Sequence, residues 1–227
     1  MKPLRVTDCP GADCPGFYRA GNLPPDHPWF GRLVPCVCAL RRLAQQAARQ
    51  LPAELRRMKF ATYQAAPAQC LALRLAEQFA ADPWQGKPLF TLIGPNRTGK
   101  THLAAAITQA LLARGEPIWF TRVPSLLDEL RSGYANDTYH QRLVMLQQTQ
   151  LLVLDDLGAE QTQAGEPYAV TWSQDRLFQI IDHRLLNQLP TVITSNRLPT
   201  MLSPRISSRL WDERHGVVVA LEAAKKA

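Results

Sequence analysis

The sequence predicts an α/β protein in which a parallel five-stranded sheet carries helices on both faces. Short, mostly apolar segments alternate with longer helical patterns, as is typical of strands covered on both sides. A glycine-containing loop joins the first of these segments to a helix. The predicted strands are residues 89–94, 117–123, 151–156, 191–196 and 216–222. The predicted helices are residues 67–81, 100–113, 124–132, 138–148 and 174–188.

The composition is that of a folded globular chain. Of its 227 residues, 46% are apolar, which is enough for one sizeable core and a small additional module. No segment approaches the ~20 apolar residues that a membrane helix needs, and the N-terminus lacks the apolar stretch of a secretion signal. We therefore expect a cytoplasmic protein that does not enter a membrane.

The front of the chain differs from the rest in charge. Residues 1–59 contain 10 Lys and Arg against 4 Asp and Glu, whereas residues 60–227 contain 16 against 15. Residues 39–50 suit a short basic helix, and Pro52 then breaks the chain. We predict a Cys-rich basic module at 1–59 and an α/β domain at 60–227. Such a basic segment binds nucleic acid or an acidic partner, or is simply a solvated surface.

A phosphate loop follows the first predicted strand. Residues 94–101, GPNRTGKT, match the motif G-x-x-x-x-G-K-[ST]. Backbone N–H groups of such a loop point at phosphates, and the dipole of the following helix favours the anion. Lys100 is expected to reach the β- and γ-phosphates of ATP, and the Thr101 hydroxyl to ligate Mg²⁺. The residues expected to contact the nucleotide are Gly94, Pro95, Asn96, Arg97, Thr98, Gly99, Lys100, Thr101 and His102.

Polar side chains end two other predicted strands. Asp155 is expected to hold Mg²⁺ together with Thr101, and Asp156 to act as the base that polarises the attacking water. Asn196, after the next strand, is a candidate to orient that water. The alternative is that all three are ordinary turn residues, because Asp and Asn favour turns.

Arg205 and Arg209 are candidates for a catalytic role in an assembly. They are four residues apart and share one face if SPRISSRLWDE is helical. A guanidinium placed on the γ-phosphate of a neighbouring subunit stabilises charge in the transition state. The alternative is a pair of ordinary exposed arginines.

Four of the five cysteines lie within the first 38 residues, and we predict that they bind zinc. The four are Cys9, Cys14, Cys36 and Cys38. They supply the number of thiolates that tetrahedral Zn²⁺ needs, with His27 as a substitute ligand. Their spacings depart from the common C-x2-C pairs, so four unligated thiols remain the alternative. The fifth, Cys70, is expected to be a small core residue.

The motifs GPNRTGKTHLA, LLVLDDLG, TVITSN and RISSRL together resemble those of the AAA+ ATPases. More narrowly they are similar to the DnaC/DnaI helicase loaders and the related IstB transposition helpers, from about residue 50 to the end. The resemblance implies a P-loop NTPase sheet of strand order 5-1-4-3-2, with ATP bound between self-assembled subunits. It makes Asn196 the sensor 1 residue and Arg209 the arginine finger, with Arg205 close to the same site.

The front also resembles that of loaders in which a cysteine cluster precedes a basic helix. By that resemblance, this region grips the replicative helicase and the ATPase part meets single-stranded DNA. Two residues depart from the AAA+ pattern: Arg97 replaces the middle glycine of the loop, and Asp156 stands where most members have Glu. We therefore expect slow hydrolysis, and a loop relaxed so that Arg97 keeps a negative φ and points outward. The few residues after Gly216 lead us to expect no C-terminal helical lid.

Residues 122–142 interleave cations with aromatic side chains, which suits single-stranded DNA or merely a solvated helical surface. The side chains concerned are Arg131, Tyr134, Tyr139, His140 and Arg142. The function predicted is that of a DnaC/DnaI-type loader, which uses ATP to deliver a ring helicase to single-stranded DNA. Two alternatives stay open: an IstB-like transposition helper acting on duplex DNA, and a nucleotide-switched adaptor with little turnover.

Overall fold

The computed structural model describes residues 14, 16–19, 33–36, 38, 42, 51–116, 118–134, 138–159 and 171–222. Its strands are β1 Phe17–Arg19, β2 Leu33–Pro35, β3 Leu89–Ile93, β4 Ile118–Arg122, β5 Leu151–Leu157, β6 Thr191–Ser195 and β7 Gly216–Ala220. Its α-helices are α1 Ala53–Arg57, α2 Cys70–Ala81, α3 Lys100–Ala113, α4 Val123–Gly133, α5 Tyr139–Gln148, α6 Trp172–Leu186 and α7 Pro204–Leu210. None of these helices is both long and apolar enough to cross a membrane.

Strands β3 to β7 form one parallel sheet in the order β4-β5-β6-β3-β7. Counted among these five strands, this is the predicted order 5-1-4-3-2, and the predicted fold class is confirmed. Every residue of β3 and of β6 is buried. Both strands are therefore covered on both faces of the sheet.

The two faces of the sheet carry separate cores. Within β5, Leu152 and Leu154 contribute to the core packed against α4, α5, α6 and α7. Leu151 and Val153 contribute to the opposite core, against α2 and α3. Successive side chains of a strand point to opposite faces, so one apolar strand supplies both cores.

Helix α2 begins later than predicted and turns a different face inward. Residues 67–69 form a single 3₁₀ turn, and the α-helix starts at Cys70. Its buried residues are Ala72, Ala76 and Ala80, spaced four apart. Cys70 is exposed, so the expectation that it lies in the core is wrong. Two residues correspond to about 200° around a helix, which puts Cys70 nearly opposite Ala72.

Residues just before the predicted domain boundary pack on the sheet domain. Leu51 and Leu55 are buried against Ala105 of α3, so α1 is attached to the helix that follows the phosphate loop. The boundary near residue 60 and the domain division stay a prediction. The basic helix predicted at 39–50 lies outside the described residues apart from Arg42.

A fully buried arginine ties α6 to the end of α5. The Arg184 Nε donates to Thr191 Oγ1 at 2.8 Å. Its terminal nitrogens donate to the carbonyl oxygens of Leu146, Thr149 and Pro190 at 3.0, 2.7 and 2.7 Å. Burial lowers the pKa of this guanidinium to about 9, so it is still charged at neutral pH. The charge is compensated by carbonyl dipoles at the C-terminal end of α5.

Candidate nucleotide-binding site

The phosphate loop joins β3 to α3, as predicted, and its first and last glycines are both needed for its shape. Gly94 has φ 147° and Gly99 has φ 89°. A Cβ added at Gly94 would overlap the carbonyl oxygen of Leu221. A Cβ at Gly99 would lie 2.7 Å from the ring of Tyr63. The loop is therefore held between the end of β7 and the segment before α2, in a shape only glycine allows at these two positions.

Arg97 has a left-handed backbone conformation, which glycine adopts more easily than other residues. Its φ is 64°, so the expectation that the loop relaxes to a negative φ is wrong. The neighbouring Thr98 explains this, because its carbonyl oxygen accepts hydrogen bonds from Gln69 Nε2 at 3.2 Å and from the Tyr63 hydroxyl at 3.5 Å. These anchors hold the loop at the residue directly after Arg97. Arg97 is exposed, as expected, and lines the nucleotide cavity.

Lys100 lies inside the loop. Its Nζ donates to the Pro95 carbonyl oxygen at 2.6 Å and to Thr98 Oγ1 at 3.4 Å. Burial lowers the pKa of this ammonium, and attraction to Asp156 and Asp155 opposes that shift. A partly desolvated ammonium held by a neutral carbonyl gains energy by turning to a phosphate.

Asp155 lies beside the first residues of α3. Its Oδ1 accepts from Thr101 Oγ1 at 3.0 Å and from Thr194 Oγ1 at 2.7 Å, and its side chain is 3% exposed. Burial raises the pKa of the carboxyl group, and these two hydrogen bonds and the nearby Arg122 oppose the rise. The structure thus brings together Asp155 and Thr101, the two side chains predicted to hold Mg²⁺.

Asp156 and Asn196 are in direct contact. Asn196 Nδ2 donates to Asp156 Oδ1 at 2.7 Å, and the Asp156 backbone N–H donates to Thr194 Oγ1 at 2.9 Å. Asp156 has φ 66° at an irregularity in the pairing of β5 with β6. Non-glycine residues in this region carry strain and occur often at functional sites. The turn directs the predicted base and the predicted water-orienting amide to the same point.

The loop and the two strand ends enclose one cavity of about 570 Å³. Its lining residues are Met58, Asn96, Arg97, Gly99, Lys100, Thr101, His102, Arg122, Asp155, Asp156, Thr194 and Asn196. Sequence reasoning did not assign Met58, Arg122 or Thr194. Thr194 and Asn196 are two residues apart at the end of β6, and both line the cavity. Residues two apart in a strand share a face, so the predicted strand 191–196 could have indicated Thr194.

His102 connects the loop helix to the segment between α1 and α2. Its Nε2 lies 3.0 Å from the Lys59 carbonyl oxygen and 3.3 Å from Thr62 Oγ1. Its ring meets that of Tyr63 edge-on, with centroids 5.1 Å apart. Residues 59–63 therefore rest on the phosphate loop and on the first turn of α3.

Arg205 and Arg209 lie on α7, away from the cavity described above. Arg209 Nε donates to Asp182 Oδ1 at 2.6 Å, and one Arg205 terminal nitrogen donates to Asp175 Oδ1 at 3.0 Å. The Arg205 guanidinium lies 3.9 Å from the centroid of the Phe178 ring, and the Arg209 guanidinium lies 5.6 Å from the same centroid. The two arginines thus share one face, as predicted, and are not brought to the nucleotide site of their own chain.

A group of aromatic residues lies where α4, α5 and α6 meet. The rings of Tyr134 and Tyr139 stack with centroids 4.2 Å apart, and Trp172 Nε1 donates to the Tyr134 hydroxyl at 3.2 Å. Arg131 lies over the Trp172 ring at 5.1 Å. Arg176 donates to the Tyr139 hydroxyl at 2.7 Å. The structure thus adds Trp172 and Arg176 to the aromatic and cationic residues that the sequence predicts in this group.

Three of the predicted zinc ligands lie together. The Sγ atoms of Cys14, Cys36 and Cys38 are all within 4.8 Å of one another. The β1–β2 hairpin holds them, and the Cys36 N–H donates to the Gly16 carbonyl oxygen at 2.8 Å. Cys9 and His27 lie outside the described residues. Three converging thiols fit a site for a thiophilic metal such as Zn²⁺.

Several proteins of known name are similar to this chain in sequence. The replicative helicase loader DnaI of Bacillus subtilis is 31% identical over 137 residues, 60% of this chain and 42% of DnaI. An ATP-binding protein from an insertion sequence of Mycobacterium tuberculosis is 32% identical over 108 residues, 48% of this chain and 40% of that protein. The helicase loader DnaC of Escherichia coli is 27% identical over 63% of this chain and 57% of DnaC. The matches thus span roughly half the length of these relatives.

Solved structures show the same fold. A crystal structure of DnaI superposes with a TM-score of 0.62 at 26% identity, over 78% of this chain and 95% of that one. A crystal structure of the DnaC helicase loader gives 0.63 at 22% identity, over 75% and 99%. The replication initiator DnaA bound to AMPPCP and single-stranded DNA gives 0.64 at 20% identity, over 77% and 52%.

A family comparison covers most of the chain and includes the phosphate loop and both acidic residues of β5. The sequence model of the IstB-like ATP binding proteins matches residues 39–201. Together with the P-loop sheet and the geometry of the cavity, this match shows that the chain belongs to the family of IstB-like ATP-binding proteins.

Proposed function

We propose that this protein is an ATP-dependent loader of a replicative helicase and that it hydrolyses ATP slowly. The observation that carries the ATP part is the direct contact of Thr101 with Asp155 at the mouth of a glycine-shaped loop. Gly94 and Gly99 give the loop this shape, because a Cβ at either position would meet Leu221 or Tyr63. The loader part rests on the similarity to DnaI and DnaC and on the cysteine cluster at the front.

The residues of the cavity suggest a division of roles. Lys100 and the loop N–H groups would bind the phosphates, and Thr101 and Asp155 would hold Mg²⁺, which would supply positive charge to the transferred phosphoryl group. Asp156 accepts the proton of the attacking water through the oxygen that Asn196 does not engage. Aspartate is shorter than the glutamate of most AAA+ proteins by one methylene, and this is our reason for expecting slow turnover.

Measurement of ATP hydrolysis by the purified chain tests this assignment. We expect slow, Mg²⁺-dependent activity that single-stranded DNA stimulates and that Lys100→Ala abolishes. Activity that survives Lys100→Ala would show that another site hydrolyses ATP. Nucleotide binding without any turnover would favour the adaptor alternative, although the exposed side chain of Arg97 gives that alternative no support.

Subunit assembly is the proposed role of Arg205 and Arg209. Their position outside the chain's own cavity suits action on the nucleotide of a neighbouring subunit. Inactive Arg209→Ala and Lys100→Ala proteins can be mixed, so that some interfaces contain an intact loop and an intact arginine. Activity of the mixture above that of either protein alone supports the arginine finger, and activity no higher than either contradicts it.

Single-stranded DNA is the proposed ligand of the aromatic group on α4, α5 and α6. Tyr134 is 54% exposed, and Arg131 and Arg142 supply cations nearby, a combination that suits bases and phosphates. We expect Tyr134→Ala to weaken binding of a fluorescent oligonucleotide, with Leu186→Ala on another exposed part of α6 as the control. Equal affinity in the two variants would place the DNA site elsewhere.

The N-terminal module at 1–59 is proposed to bind Zn²⁺ through Cys9, Cys14, Cys36 and Cys38, and to contact the helicase. We expect metal analysis near one zinc per chain, lost in the double variant Cys36→Ser/Cys38→Ser. Cys70→Ser is the matched control, because this exposed thiol lies on α2. A well-folded chain without zinc would contradict the site.

A transposition helper acting on duplex DNA is the second candidate function. The family match and the similarity to the insertion-sequence protein of Mycobacterium tuberculosis favour it. A pull-down with the host's replicative helicase and, separately, with a transposase distinguishes the two. Capture of the helicase alone supports the loader, and capture of the transposase alone supports the transposition helper.

A further inference from the structure

Arg122 projects into the nucleotide cavity from the edge strand of the sheet. It is the last residue of β4 and pairs in register with Asp155 on β5. It lines the same cavity as Lys100 and Thr101. No motif drew attention to it, because strand pairing, and not sequence spacing, brings it to the site.

Its guanidinium is only weakly engaged by the protein. Arg122 Nε lies 3.9 Å from Asp155 Oδ2, and the Arg122 side chain is 58% exposed. Among the residues that the structure describes, this guanidinium makes no hydrogen bond. An ion pair this long and this exposed contributes little to stability. The donors of Arg122 are therefore available to a ligand of the cavity.

The surroundings of Arg122 indicate which ligand it meets. Asp155 Oδ1 is occupied by two threonine hydroxyls, one of them Thr101, whereas Oδ2 faces Arg122. Thr101 and Asp155 would hold Mg²⁺ here, and the metal would supply positive charge to the phosphates of a nucleotide in this cavity. The planar fork of arginine matches a phosphate better than an ammonium does. We propose that Arg122 contacts the terminal phosphate of ATP in cis and thereby distinguishes ATP from ADP.

This inference rests on the proposed ATP-binding function and adds a selectivity residue to it. The competing explanation is that Arg122 only offsets the charge of Asp155. In that case, loss of the arginine alters the metal site in the same way for both nucleotides. A terminal-phosphate contact instead affects ATP alone, because ADP has no phosphate at that position.

The test measures equilibrium binding, so it does not depend on turnover. The affinities of AMPPCP and of ADP are measured with Mg²⁺ for the unaltered chain, Arg122→Gln and Arg122→Lys. Arg74→Gln, which removes an exposed charge from α2, is the control. We expect Arg122→Gln to weaken AMPPCP binding about tenfold, the scale of one charge-assisted contact, and ADP binding less than about twofold. Arg122→Lys should lie between, and Arg74→Gln should change neither affinity.

Each other outcome counts against the inference. If Arg122→Gln weakened or strengthened the binding of AMPPCP and of ADP equally, Arg122 would serve charge balance alone. Unchanged binding of both would exclude any contact. A chain whose unaltered form binds neither nucleotide would contradict the ATP function itself, whereas nucleotide binding without an Arg122 effect would contradict only the selectivity role. Melting temperatures of all variants confirm that each is folded.

Discussion

The buried guanidinium of Arg184 allows a quantitative test of what holds α6 to the sheet. Arg184→Met keeps a long unbranched side chain but removes every donor. The carbonyl oxygens of Leu146 and Thr149 then lose the Arg184 donor, whereas that of Pro190 keeps the backbone N–H of Leu152 at 3.3 Å. A buried acceptor without a donor costs about 1–3 kcal/mol.

The removal of a buried charge offsets part of this loss in the free energy of unfolding. A fully buried charge is costly to desolvate, as the lowered pKa of Arg184 indicates, and methionine removes that cost. The carbonyl dipoles already compensate much of the charge, so the return is only partial. We expect the free energy of unfolding to fall by about 3 kcal/mol, which is a large share of the stability of an ordinary domain.

Arg114→Met is the matched control, because Arg114 also bonds helix-terminal carbonyls, those of Ala80 and Ala81. Arg114 is exposed, so water replaces its hydrogen bonds and the loss should stay below about 1 kcal/mol. Urea unfolding followed by far-UV circular dichroism gives both values. Similar losses in the two variants would refute the argument that burial makes Arg184 critical.

Three further predictions concern the site. Arg97→Gly should raise the free energy of unfolding by about 1 kcal/mol, because it removes a non-glycine residue from a left-handed backbone conformation. Thermal unfolding measures this change, and a lower stability of the variant would contradict the strain at this position. Gly94→Ala should lower the melting temperature and abolish nucleotide binding, because its methyl group meets Leu221. Gly115 also has a positive φ, of 76°, but open space around it, so Gly115→Ala adds backbone strain without a clash and should keep full binding. Thr194→Val should lower kcat about tenfold with little change in KM, since it removes the hydrogen bonds that join Thr194 to both aspartates. Thr194→Ser keeps the hydroxyl and should restore activity. Equal activity of the two variants would show that the hydroxyl is dispensable.

The fold followed from the sequence where burial on both faces left a clear pattern. Strand β3 is apolar apart from Thr91, and β5 begins with the apolar residues Leu151 to Leu154. The strand order came from the resemblance of the motifs. The local pattern did not indicate the inward face of α2: Cys70 lies among apolar residues, and only packing against α3 shows that the alanines turn inward.

The candidate site was predictable as far as its residues are adjacent in sequence or end neighbouring strands. Lys100, Thr101 and Asp155 belong to motifs whose chemistry fixes their spacing. Arg122 was not predictable, because it reaches Asp155 through strand register. The backbone of Arg97 was not predictable either, because anchors elsewhere in the fold, Gln69 among them, set its conformation.

The position of residues 59–63 on the phosphate loop has a thermodynamic consequence. Thr62 and Tyr63 contact His102 and the loop, so whatever binds the front of the chain and lifts this segment also disturbs the phosphate site. Linkage is reciprocal: if such a partner weakens nucleotide affinity by some factor, the nucleotide weakens affinity for that partner by the same factor. Nucleotide binding and partner release would then be two measurements of a single coupling free energy.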